Sequence, residues 1–228
     1  MLAARTLLRS TLAFAIVAPV AACSPGHDVG PQPPGASNVS PPRAVDGETH
    51  IWRDSTWHVS IEVPPGWTVH HDFKTSYLAN DAWKTYAGSD SQGRPIVALV
   101  VPGSDRITDA EIRIGASKAA PEVQRCTAPP DAVRPGSLAH ETIGGIDFTT
   151  FEAADAAMSH YLDVHGYRTV RGGVCYAIDL LVYGTNPQVF DPPAMPPFSR
   201  AQAFARMRAV VGSFHFTNGS RQGGSVPN

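Results

Sequence analysis

The chain has 228 residues, of which 43% are apolar and 17% are charged, with 18 Lys and Arg against 20 Asp and Glu. This slightly acidic composition argues against a nucleic-acid partner, because nucleic-acid binding requires a clustered basic surface. No run of like charges marks an interaction tail either.

The first 22 residues have the order of a secretory signal peptide. Arg5 and Arg9 precede a nearly uncharged apolar stretch over residues 10–22. That stretch is too short to span a bilayer, which takes roughly 20 apolar residues. A basic start, a short apolar centre and small residues before a cleavage point are typical of a secretory signal.

The signal ends in a Val-Ala-Ala-Cys run that closes at Cys23. This run resembles the bacterial lipobox, and the resemblance implies that Cys23 becomes the lipidated first residue of the mature chain. An ordinary signal peptide with an incidental cysteine is the alternative. By resemblance to the sorting rule of Gram-negative lipoproteins, Ser24 after the cysteine favours the outer membrane.

Residues 23–47 are rich in Pro, Gly and Ser and have almost no large apolar side chains. Such a segment buries too little surface to offset its ordering entropy, so we predict a flexible tether. Without residues 1–22 the chain keeps 16 basic against 20 acidic residues, a net charge of −4. Residues 48–217 are predicted to form a single globular domain, and residues 218–228 a disordered tail.

Two cysteines, Cys126 and Cys175, remain once Cys23 is assigned to lipidation. In an oxidising periplasm a leftover pair is most simply a disulfide. A reactive thiol or a metal site is the competing interpretation, although neither cysteine has CxxC spacing or a nearby pair of histidines.

Alternating apolar and polar residues predict a series of strands. The first ends in Val63-Pro64-Pro65-Gly66-Trp67, where a type II turn fits and a return strand is expected to begin. The stretch from Thr108 could open a helix with a capping box, but its strict alternation favours a strand. The predicted strands are 57–63, 67–71, 82–88, 95–101, 108–116, 138–143, 146–151, 159–170, 174–183 and 214–216.

Two helices are predicted. Pro121 suits the first turn of a short one. Ser199 caps the other, in which Phe204, Met207 and Val211 form an apolar stripe, and Gly212 ends it. The fold class is therefore α+β: an antiparallel sheet with one long C-terminal helix and a short helix packed on it.

Three features of this pattern resemble the PsbP/Mog1-like α/β/α sandwich family, which includes small bacterial lipoproteins. They are the early strand with its Pro-Pro-Gly-Trp turn, the long paired strands over residues 161–183, and the closing helix that runs into Ser213-Phe214-His215-Phe216. The likeness covers most of residues 50–217. It implies an assembly or binding role, because that family has no shared catalytic site.

Two pairs of side chains are candidate metal ligands. His71 and Asp72 follow the predicted return strand, and Asp163 and His165 share one face of a long strand together with Tyr161 and Tyr167. The alternatives are a surface strand end for the first pair and a solvated outer face for the second. No third ligand is identified for either, and no cofactor is predicted.

Trp52, Trp57, Trp67 and Trp83 crowd the first third of the domain, as packing residues or as an exposed recognition patch. No motif of a hydrolase elbow, zinc protease, P-loop or dinucleotide fold is present. We therefore expect a non-catalytic, lipid-anchored periplasmic protein that contacts another envelope protein or assists assembly. A small-ligand or metal-binding lipoprotein, or an unrecognised periplasmic enzyme, is the alternative.

Overall fold

A computed structural model describes residues 47–217 of the chain. Cys23, the predicted signal peptide, the tail and all of the tether but Gly47 lie outside the described residues. Within the described range, no helix is both long and apolar enough to cross a membrane.

Ten strands form two antiparallel sheets in this range. In chain order they are β1 His50–Asp54, β2 Val59–Val63, β3 Thr68–His70, β4 Arg94–Val100, β5 Thr108–Ser117, β6 Ala139–Ile143, β7 Ile146–Ala157, β8 His160–Arg171, β9 Val174–Thr185 and β10 His215–Phe216. The larger sheet has the order β3-β4-β5-β9-β8-β7-β6, and the smaller has the order β1-β2-β10. The helices are α1 Ala120–Gln124 and α2 Arg200–Val211, with a 3-10 turn at Pro187–Val189.

The long strands β8 and β9 form and pair as the sequence predicts, and β7, predicted only over 146–151, extends to Ala157 and pairs with β8. Gly172 and Gly173 between β8 and β9 have φ of 58° and 74°, which a glycine adopts without the steric penalty of a Cβ. The β9 side chains from Val174 to Val182 at every second position all belong to the main core. The predicted apolar face of β9 is therefore confirmed.

Helix α2 covers one face of the larger sheet. The Ser199 hydroxyl accepts from the backbone N–H of Gln202, and the Gln202 side chain accepts from the backbone N–H of Ser199, which completes a capping box. Phe204 is 7% exposed and Met207 is fully buried, so the predicted stripe faces the core. The helix has twelve residues, an average length, and the described chain is mostly sheet, so the expectation of a long helix is not confirmed.

The predicted β2–β3 hairpin is wrong. The turn itself forms, with the Trp67 N–H donating to the Pro64 carbonyl at 3.3 Å and φ of 79° at Gly66. However, β3 pairs with β4, whereas β2 pairs with β1 and β10. The turn therefore passes the chain from one sheet to the other, and β1, which the sequence did not predict, supplies the missing partner of β2.

The segment 71–93 lies across the other face of the larger sheet. The strand predicted over 82–88 is wrong, since these residues form bends and turns. The segment lies so close to the sheet that a Cβ on Gly115 of β5 would be 1.9 Å from the Trp83 carbonyl oxygen. Trp83 is buried beside the start of β9, and its indole N–H donates to Ser91 Oγ at 2.9 Å. Both faces of the central strands are thus buried.

Candidate functional site

The two cysteines of the domain are joined. Cys126, just after α1, forms a disulfide with Cys175 at the start of β9, with a Cα–Cα distance of 5.5 Å. Both are buried and pack with Trp83 and Ala177. The disulfide prediction is confirmed, and a reactive thiol or metal site at these cysteines is wrong. The bridge attaches the peripheral α1 to the centre of the sheet.

The pair Asp163 and His165 lies on the β8 face that α2 covers. Asp163 Oδ2 accepts from the Arg200 guanidinium at 2.7 Å, and His165 Nδ1 lies 2.8 Å from Arg208 Nη2. The two residues are therefore held by arginines of the helix. The expected solvated outer face is also wrong, because Tyr167 on the same face is only 3% exposed.

The surroundings of His165 favour the neutral form of its ring. Its imidazole stacks on the Phe204 ring at a centroid distance of 3.9 Å and an interplanar angle of 12°. Burial lowers the pKa of His165; Glu152 opposes this shift, and Arg208 adds to it. An imidazole whose Nδ1 accepts from an arginine keeps its proton on Nε2, so neither nitrogen offers a lone pair to a metal.

The other candidate ligands, His71 and Asp72, are both exposed just after β3. The His71 ring has the Trp52 ring as a neighbour, at 6.5 Å between centroids. In residues 47–217 no group of three or more His, Cys, Asp or Glu side chains could hold a metal ion. The structure therefore does not bring the two candidate pairs together.

Two buried ion pairs were not found from the sequence. Arg168 of β8 makes a two-pronged pair with Asp179 of β9, at 2.7 and 3.2 Å, and Asp179 also accepts from the backbone N–H of Thr85 at 2.8 Å. Arg113 of β5 pairs with Glu111 at 2.6 Å. Their positions alternate with core residues, and they are buried because the segment 71–93 and neighbouring rings such as Phe151 and Tyr183 cover them.

Both buried ion pairs bind backbone groups of the covering segment 71–93. The Arg113 guanidinium donates to the carbonyls of Asn80 and Lys74, each at 2.6 Å, and lies over the Phe73 ring. Backbone groups of an irregular segment need such partners when no neighbouring strand supplies them. The buried charges therefore hold the segment against the sheet.

A cavity of about 290 Å³ opens beside β5 and β9. The hydroxyl of Tyr183 in its lining lies 3.3 Å from Asp109 Oδ2 and 3.2 Å from Glu111 Oε1, and burial raises the pKa of Tyr183. Asp109 Oδ1 is buried with no hydrogen-bond partner. Because that oxygen is out of reach of solvent, a ligand in the cavity could contact it only after a rearrangement.

A second concave site, of about 360 Å³, lies where β10 and the β1–β2 turn meet the ends of β8 and β9. We define the basic aromatic groove by Trp57, Lys118, Arg171, Tyr176 and Phe216, which line it. The Lys118 ammonium is 5.0 Å from the Trp57 ring centroid, and the Arg171 guanidinium is 4.6 Å from that of Phe216.

All four tryptophans pack in or against the hydrophobic clusters, which supports the packing interpretation weighed from the sequence. Trp67 and Trp83 are buried, whereas Trp52 and Trp57 are partly buried at the edge of the main core. Sequence reasoning did not identify the groove, because its residues lie far apart in the chain and meet only through sheet pairing. The tryptophan cluster was the one signal that pointed to it.

Comparison with known proteins gives remote neighbours only. No protein-family model matches the chain, and no curated protein matches it. A crystal structure from Bacteroides thetaiotaomicron is similar with 14% identity and a TM-score of 0.41 over 74% of this chain, which spans 48%, about half, of that protein's length. A solution structure of cyanobacterial PsbP from Synechocystis is similar with 13% identity and a TM-score of 0.38, over 80% of this chain and 97% of that one.

The PsbP/Mog1-like resemblance stays a prediction, because both neighbours have TM-scores below 0.5. The described chain is mostly antiparallel sheet with few helices, and a PsbP is among its structural neighbours at a low TM-score. These neighbours assign no activity, ligand or partner to the chain.

Proposed function

We propose that this chain is a lipid-anchored protein of the outer membrane, facing the periplasm, that acts as a non-catalytic envelope interaction or assembly factor. The observation that carries the proposal is the Val-Ala-Ala-Cys run at Cys23, placed after a basic start and a short apolar stretch. Ser24 after that cysteine favours the outer membrane over the inner one, by resemblance to other lipoproteins.

The disulfide supports export. Disulfides persist in oxidising compartments such as the periplasm and are rare in reducing ones. The bridge between Cys126 and Cys175 is buried and joins a peripheral helix to a central strand. A domain stabilised in this way suits a compartment without a thiol-reducing system.

The placement of charged side chains supports a scaffold with a binding role. Arg113 and Asp179 hold the backbone of the segment 71–93, and Asp163 pairs with Arg200 of α2. These side chains therefore act in fixing the fold. The groove lined by Lys118 and Arg171 has exposed cations on its rim, which favours the alternative function, a small-ligand-binding lipoprotein, developed below.

Replacement of the anchor cysteine tests the proposal in cells. The Cys23→Ala variant lacks the thiol that carries the lipid, so we expect it to leave the outer-membrane fraction and to accumulate as a soluble or unprocessed form. Cell fractionation with immunoblotting measures this. Firm membrane association of the variant at the wild-type mature size would contradict the anchor.

A second substitution at the neighbouring residue serves as a matched control. The Ser24→Asp variant keeps the cysteine and its lipid but changes the residue that favours the outer membrane. We expect it to remain membrane-bound and to move to the inner-membrane fraction on a sucrose gradient. An unchanged outer-membrane position would refute the predicted sorting while leaving the anchor intact.

A further inference from the structure

We propose that the basic aromatic groove binds a small organic anion: a phosphate or carboxylate group carried on a flat apolar ring. The inference names a ligand class for the small-ligand alternative given above, so it rests on that alternative. It does not depend on the lipid at Cys23, and the two can fail separately.

The walls of the groove are fixed before any ligand arrives. The Asp54 carboxylate accepts from the backbone N–H groups of Thr56 and Trp57 at 2.8 and 2.7 Å, which sets the turn that carries the indole. The Tyr176 hydroxyl donates to the Trp57 carbonyl at 3.0 Å, and the Tyr176 and Phe216 rings pack edge to face at 4.7 Å. A pre-formed site loses little conformational entropy on binding.

In the part of the chain that the structure describes, the two cations of the groove have no acidic partner. Among residues 47–217 neither Lys118 nor Arg171 has a carboxylate within 4.0 Å, and the groove lining contains no Asp or Glu. The acid nearest in the turn, Asp54, is engaged by backbone N–H groups. Lys84, by comparison, is paired with Glu122 at 2.6 Å.

Unpaired cations held over aromatic rings attract an anion more strongly than freely moving ones. Each ring fixes its cation by a cation–π contact and leaves the outward N–H donors of the ammonium or guanidinium available. A cleft with low-dielectric walls and charge of one sign also focuses its field. The expected occupant therefore places its anionic group between Lys118 and Arg171.

The apolar lining of the groove determines which kind of group can carry the anion. The partly buried rings of Trp57 and Phe216 line the groove, together with the largely buried Tyr176 and Val174. A flat apolar group packs on such walls, and offset or edge-to-face contact between rings stabilises it further. A volume of about 360 Å³ accommodates one ring and its anionic substituent.

Binding of phenyl phosphate to the full chain in mild detergent tests the proposal. The chain has four tryptophans, so labelling their indole nitrogens with ¹⁵N gives four indole N–H signals, and Trp57→Phe assigns the one of interest. We expect the Trp57 signal to shift saturably, with a Kd on the order of 1 mM for a ligand of this size. Benzoate should do the same, and the affinity should weaken as salt is raised.

Two control probes, one without the anionic group and one without the ring, separate the contribution of the cations from that of the aromatic rings. Phenol lacks the anionic group and inorganic phosphate lacks the ring, so each should bind at least about tenfold more weakly than phenyl phosphate. Equal binding by phenol would overturn the role of the cations, and equal binding by inorganic phosphate would overturn that of the rings.

Paired variants supply the final control. Lys118→Gln with Arg171→Gln removes both groove cations and should weaken phenyl phosphate at least about tenfold. Lys74→Gln with Arg206→Gln removes one lysine and one arginine elsewhere, the latter over the Phe198 ring, and should leave the affinity unchanged. If both double variants bind as the wild type does, or if the Trp57 signal never shifts, the proposal is wrong.

Discussion

The Arg168–Asp179 pair gives the sharpest test of what holds the segment 71–93. Both residues are at most 3% exposed, and Asp179 accepts two hydrogen bonds from Arg168 and one from the Thr85 backbone. The Asp179→Ala variant leaves a buried guanidinium and a buried N–H without this partner. Breaking a buried pair from one side costs about 3–5 kcal/mol.

For a chain of this size 1 kcal/mol corresponds to about 2–4 °C in Tm, so the loss should lower Tm by roughly 6–20 °C. Circular dichroism melting of the full chain in mild detergent measures it. The matched control is Glu152→Ala, whose pair with Arg134 is partly exposed, with side chains 39% and 54% accessible. Such a pair contributes about 0–1 kcal/mol.

A double variant separates the lost charge partner from lost packing. Arg168→Met with Asp179→Leu removes both charges at similar volume, so it should melt well above Asp179→Ala. Hydrogen exchange should also be faster at the Thr85 amide in Asp179→Ala. If Asp179→Ala melts no lower than Glu152→Ala, the buried pair does not hold the segment.

Three further predictions concern the core, the disulfide and the partly buried His165. Phe204→Ala should cost about 3–5 kcal/mol by the same melting assay; an unchanged Tm would mean that α2 is not packed on the sheet. Cys175→Ser should lower the free energy of unfolding by about 2–4 kcal/mol. Non-reducing peptide mapping of the wild type should find Cys126 linked to Cys175, and free thiols at both positions would contradict the disulfide. Because burial lowers the pKa of His165, the unfolded chain binds more protons near pH 6.5, so stability should fall as the pH drops through that value. His165→Gln should lose that part of the pH dependence, and an identical pH profile would contradict it.

The sequence predicted those parts of the fold whose signal is local. Alternating β-branched and aromatic residues define β8 and β9, and Gly172 with Gly173 fixes the turn between them. The same holds for α2, whose Ser199 cap and apolar spacing are contained within fourteen residues from Ser199 to Gly212. The disulfide followed from cysteine count and compartment.

The parts that failed depend on partners distant in the chain. Nothing in residues 57–71 indicates that β2 and β3 join different sheets, because alternation identifies a face and not a neighbour. The strand predicted over 82–88 is replaced by turns, since the Trp83 ring packs against Ala177 of β9 and the Thr85 N–H donates to Asp179. The groove likewise brings together Trp57 and Phe216, which lie near opposite ends of the described sequence.

The mature N-terminus tests the central claim most directly. Mass spectrometry of the N-terminal peptide, from protein extracted from its native membrane, reports both the cleavage point and any attached lipid. The account predicts a first residue of Cys23 bearing a diacylglyceryl thioether. An N-terminal peptide that starts elsewhere, or that carries an unmodified Cys23, would contradict the proposed lipid anchor.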